Sequence, residues 1–175
     1  MRNSPFFFWS VVVVVVIVSL LRDANAESFR SWTFVDTKSG GFSVLSLEDE
    51  RLIVAESGIP VQFCSRESGM ICFSSEAVSF AIPVDDERRD YWTNGGRVYC
   101  VVRRFRDAND SERPEGAWLI YSREGEQCGG HEPYDQVAIF SQSAGLRMIR
   151  SSYRNGGFLE LWAVDSDGFG SAAGR

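Results

Sequence analysis

The side chains best suited to chemistry gather in Cys128-Gly129-Gly130-His131-Glu132-Pro133-Tyr134-Asp135. His131 is the single histidine, and a histidine beside acids can act as a general base oriented by Glu132 or Asp135. The rest of a catalytic arrangement is missing. Gln142-Ser143-Ala144-Gly145 is not the strained G-x-S-x-G elbow, so neither Ser141 nor Ser143 reads as a nucleophile. A Cys–His pair needs a free thiolate, and the cysteines are expected to be oxidised. The plain expectation for His131 is a solvated loop residue, with catalysis the lesser alternative.

Carboxylates come in pairs at Asp85-Asp86, Asp107 and Asp110, and Asp165 and Asp167. Glycoside hydrolysis needs two carboxyls facing each other across ~5–9 Å, which neighbours in a turn rarely provide. They read as turn and cap residues. A calcium loop beginning at Asp107-x-Asn109-x-Ser111 would need glycine at its sixth position and glutamate at its twelfth, where Glu112 and Trp118 stand. No metal site and no cofactor is expected.

The most distinctive stretch is Arg103–Glu115, where Arg103, Arg104, Arg106 and Arg113 alternate with Asp107, Asp110, Glu112 and Glu115. Such a loop either neutralises itself in solvent or, with Arg88 and Arg89 nearby, holds a carboxylate or phosphate bidentately. Long loops in small domains often carry function. Tryptophan is the other candidate. Trp32, Trp118 and Trp162 sit in strand-like runs and are expected in the core. Tyr91-Trp92, beside a turn, is the pair expected to reach the surface and offer a platform to a sugar ring or a protein partner.

The elements that must position these groups are strands. Short runs rich in Val, Ile, Phe and Trp occur at Ser31–Asp36, Phe42–Leu47, Arg51–Ala55, Val61–Cys64, Ile71–Phe73 and Val78–Ile82. They continue at Arg88–Trp92, Arg97–Phe105, Ala117–Ser122, Gln136–Ser141, Leu146–Tyr153 and Phe158–Val164. Asn94-Gly95-Gly96 and Asn155-Gly156-Gly157 are hairpin turns in which asparagine and glycine tolerate positive φ. One window, Ser46–Ser57, has helix signals: Ser46 and Asp49 as a capping box and Gly58 as a stop. Its Leu52-Ile53-Val54 cluster favours a strand. Val98–Val102 and Phe158–Trp162 are apolar on both faces and should be central, with a layer on each side. The expected fold is therefore all-β or mostly β: an antiparallel barrel or sandwich of about ten short strands joined by hairpins, with at most one short helix.

Four cysteines, Cys64, Cys72, Cys100 and Cys128, make two disulfides with three possible connectivities. Spacings of 8, 28 and 28 lack the close pairs of a zinc site. Cys64–Cys72 with Cys100–Cys128 is favoured, the first closing a tight hairpin through Arg66-Glu67-Ser68-Gly69 and the second tying a central strand to the Gly-rich loop.

An export signal precedes all of this. Met1-Arg2 is followed by an apolar run of 16 residues, Phe6–Leu21, and then by Ala24-Asn25-Ala26, which predicts cleavage between Ala26 and Glu27. The run is short of the ~20 residues a spanning helix needs, so the mature form is expected to carry no membrane span. The chain divides into a signal at 1–26, a single β-rich domain at 27–164 and a flexible tail at 165–175. The 175 residues carry a net charge of −6; without Arg2, Arg22 and Asp23, 16 basic and 23 acidic residues leave −7. That acid excess argues against nucleic acid. Arginine outnumbers lysine 17 to 1, a bias that fits GC-rich coding and hence a bacterial periplasm or the extracellular medium.

The reading that combines these features is an exported, disulfide-stapled β-domain acting as a non-enzymatic binding module, most naturally for a protein in the cell envelope. Two alternatives differ in class. One is a hydrolase of cell-wall or glycan substrates using His131 or a carboxylate pair. The other is a structural envelope protein holding glycan through Tyr91 and Trp92.

Overall fold

The computed structural model describes residues 31–54, 57–84, 89–105, 116–129, 133–164 and 168–171. The proposed signal, most of the Arg103–Glu115 loop, His131 and all three carboxylate pairs lie outside the described residues.

Hairpin chemistry builds the first sheet directly. β1 (Ser31–Asp36), β2 (Phe42–Ser46), β3 (Arg51–Val54) and β4 (Ser57–Pro60) form an antiparallel meander. The chain then builds a separate three-stranded sheet from β5 (Gln62–Phe63), β6 (Met70–Ser74) and β7 (Ser79–Pro83). It returns for a second meander: β8 (Tyr91–Asn94), β9 (Arg97–Phe105), β10 (Ala117–Glu124), β11 (Gln136–Ser141), β12 (Gly145–Ser152) and β13 (Phe158–Ala163). β13 pairs antiparallel with β1, joining the two meanders into one ten-stranded sheet with β4 and β8 at its edges. The large sheet is open, so of the two architectures expected the sandwich applies and the barrel does not.

One apolar core joins the sheets. Phe34, Leu45, Leu52, Trp118, Ile120 and Phe140 of the large sheet cluster with Phe73, Phe80 and Ile82 of the small one. Polar bonds cross the same layer. The Trp92 indole Nε1 donates to the Ala81 carbonyl at 3.0 Å. Turned so that its amide nitrogen faces the Ser79 carbonyl, the buried Gln136 carboxamide donates to that carbonyl (2.6 Å) and accepts from the Ser79 N–H (3.3 Å). Both favoured disulfides are present, Cys64–Cys72 with a Cα–Cα separation of 5.2 Å and Cys100–Cys128 with 5.9 Å.

Four points are decided by the structure. Among its described residues Ser46–Ser57 holds strands, as the Leu52-Ile53-Val54 cluster favours, and no helix: the Ser46 hydroxyl accepts from the Asp49 N–H and donates to the Asp49 carboxylate, both at 3.1 Å, so capping-box chemistry closes the β2–β3 turn instead. β4 was hidden behind Gly58 and Pro60, which are tolerated because β4 is an edge and Pro60 owes no ladder hydrogen bond there. In the β8–β9 hairpin Asn94 pairs with Arg97, so the two turn residues are Gly95 and Gly96, with φ of 58° and 78°.

The fourth concerns the C-terminus. Gly168–Ser171 does not behave as a free tail. Leu146 N–H donates to the Phe169 carbonyl at 2.8 Å, and the Phe169 ring enters the core edge-on to Trp32 and Phe73, with centroids at 4.9 and 5.0 Å. A Cβ on Gly145 or Gly168 would strike the facing backbone, so the small residues that look like a loose tail are what let this segment lie close.

Candidate functional site

Strand alternation separates the two aromatic candidates. Trp92 points inward, is 4% exposed and stacks on Tyr99, so it presents no surface to a ligand. Its neighbour Tyr91 points outward and is 55% exposed. Successive residues of a strand face opposite sides, so the adjacent pair could not share one surface.

The arginine patch splits for a related reason. A bulge at Val102 leaves Arg103 opposite Leu119 and Arg104 opposite Trp118. Arg104 turns inward over the Trp118 ring at 5.9 Å and bonds Asp90 Oδ1 (2.8 Å) and the Arg89 carbonyl (2.7 Å). It clamps the chain entering β8 and is spent on structure. Arg103 faces outward and is exposed. Arg106 and Arg113 lie outside the described residues.

The outward positions form two neighbouring rows across the sheet. The register runs Arg103, Leu119, Ile139, Met148, Trp162, Val35 and Phe42 over seven strands. Beside it run Tyr91, Cys100, Tyr121, Val137, Arg150 and Glu160. Phe42 is 66% and Trp162 41% exposed. These were the residues that sequence reasoning missed, because the apolar run Phe158–Trp162 was assigned a covering layer on each side. A signal was available: Glu160 marks the outward side of β13, and Trp162, two residues on, must share it.

Local contacts stiffen this face. The Trp162 indole Nε1 donates to Glu160 Oε1 at 3.0 Å, and Thr37 Oγ1 donates to the same oxygen at 3.0 Å. Arg150 lies 3.7 Å from Glu160 Oε2 and 4.4 Å from the Phe158 ring centroid. At the other end Arg123 donates to the Gln127 carbonyl (3.1 Å) and to the Gly129 carbonyl, and lies over the Tyr134 ring. Tyr134 packs edge-on to Tyr121, and its hydroxyl accepts from the Gly129 N–H at 3.2 Å. Together with Cys100–Cys128, these contacts hold the loop after β10 against the outer face.

A cavity between the sheets, lined by Ile71, Ile82, Trp118, Phe140 and Gln142, offers about 20 Å³, room for a single water. Among the described residues no group of His, Cys, Asp or Glu is placed to hold a metal ion. No helix among them is long and apolar enough to cross a membrane. Burial pushes the Tyr99 hydroxyl up to about 12, with Arg97 opposing and Asp135 adding to the shift. That ring is sealed in the core and serves packing. No family model, no curated protein and no solved structure matches this chain.

Proposed function

We propose that this protein is an exported, non-enzymatic binding module that takes a protein partner on the outer face of its ten-stranded sheet. One observation carries the reading: Phe42, Trp162 and Tyr91 stand exposed on a sheet whose inward aromatics are buried. Tryptophan, tyrosine and arginine dominate binding energy at protein interfaces, because they bury large area from a rigid, partly polar side chain. Arg103 and the loop beginning after it, with Arg106 and Arg113, belong to the same reading. Export rests on residues 1–26 and is supported by the two disulfides, which persist in oxidising compartments. A first residue of Glu27 in the secreted protein, read by mass spectrometry, checks it.

Crosslinking in envelope extract tests the function. The wild-type protein should capture a defined partner that a Phe42→Ser, Trp162→Ala double variant of equal stability loses. Equal capture by both proteins rules the outer face out. Turnover of a cell-wall substrate that disappears with His131→Ala would instead establish the enzyme.

A further inference from the structure

Resting on that reading, we infer that the partner presents an acidic surface carrying an apolar anchor. The chain as a whole is acid, with a net charge of −6. Its outer face is not. Among the described residues, register and alternation send Arg51, Arg103 and Arg150 out on this side of the strands, against one acid, Glu160. That acid is engaged by Arg150, Trp162 and Thr37. Neither Arg51 nor Arg103 has an acidic partner among the described residues. A basic face on an acidic protein is a directional signal: it attracts acidic surfaces and repels basic ones while the molecule as a whole stays soluble.

The apolar row supplies the rest of the recognition. Seven strands at ~4.8 Å spacing make it about 29 Å long, which matches the breadth of a standard interface of ~800 Å² per partner. Arg103 stands at one end and Phe42 at the other, with Trp162 exposed between them and Met148 buried in the same row. An apolar centre rimmed by arginine is the usual interface plan, in which the centre provides affinity and the rim provides steering and register. A second copy of this chain is disfavoured, because face-to-face pairing would bring Arg51 and Arg103 of one copy against a face that is itself basic.

A library of random peptides displayed on phage and panned on the purified protein tests the inference. Selected peptides should be net acidic with at least one aromatic or aliphatic residue. Their affinity should fall ~30-fold or more with Trp162→Ala, the loss of one hot spot. Arg103→Glu should weaken them about tenfold and raised salt should weaken them further, while Arg103→Lys keeps most of the binding. Thermal melts confirm that each variant is folded. Neutral or basic peptides that still depend on Trp162 overturn the acidic partner and leave the binding face standing. Acidic peptides indifferent to both Trp162→Ala and Phe42→Ser, or a library that yields no binder, overturn the face itself. A dimer by sedimentation that Trp162→Ala dissolves identifies a second copy and overturns the acidic partner.

Discussion

The two faces of the large sheet are made of alternate residues of the same strands, yet they have opposite fates. Inward, Phe34, Trp92, Trp118 and Phe140 are closed over by β5–β7 and by Phe169. Outward, Phe42, Trp162 and Tyr91 keep much of their surface in water. The chemical types are alike on the two sides; the difference is a second layer on one of them. Aromatic content therefore reports how much apolar surface a strand can bury, and the partner layer decides whether that burial happens within the chain. Where it does not, the remaining surface is available to another molecule.

Substitutions should divide along the same line. The largest effect is expected from Phe169→Ala, which opens a cavity where the two sheets meet the C-terminal segment. Loss of a buried phenylalanine costs roughly 3–5 kcal/mol, measurable by urea denaturation at constant m-value. A loss below about 1 kcal/mol would mean that residues 168–171 act as a tail after all. Next, replacing Cys100 and Cys128 with serine should cost about 3 kcal/mol on the chain-entropy account, and should loosen the loop that Arg123 and Tyr134 hold to the outer face. Calorimetry with and without reductant measures it, and an unchanged midpoint refutes it.

The third prediction concerns pH. Tyr99 titrates at about 12 when folded and at its ordinary value of 10.0 when unfolded, so above pH 10 the unfolded chain has released the proton that the folded one keeps. Stability should then fall as pH rises, by up to roughly 1.4 kcal/mol per unit toward pH 12. Tyr99→Phe should flatten that slope, and alkaline denaturation curves of the two proteins decide the matter. The smallest effect belongs to the outer face. Phe42→Ser should change stability by no more than about 0.5–1 kcal/mol, since most of that ring already stands in water. A loss as large as that of Phe169→Ala would erase the distinction between the faces.

Much of the fold was legible because strands, turns and cysteines are local signals. The β-branched and aromatic runs of Gln136–Ser141 and of Arg97–Phe105 and the glycines after Asn94 place strands without reference to the rest of the molecule. Cys64 and Cys72 are joined by a turn short enough to pair them. The site was less legible, and particular residues show why. Tyr91 and Trp92 read as one exposed pair, although adjacent strand positions must diverge. Arg103 and Arg104 read as one patch, although a bulge and the cross-strand Trp118 turn them apart. The tail read as loose because glycine and serine are small, whereas their smallness is what admits Phe169.

The sequence by itself determined the local facts: the strand class, the hairpins, and which residues of each strand share a side. These follow from φ/ψ preferences and a two-residue period, which act over a few bonds. The tertiary structure alone decided that β13 closes on β1, that β5–β7 cover one face, and that Phe169 completes the core while Trp162 and Phe42 face water. Those outcomes depend on contacts between residues distant in the chain. No local preference encodes which of two equally apolar faces will find a partner.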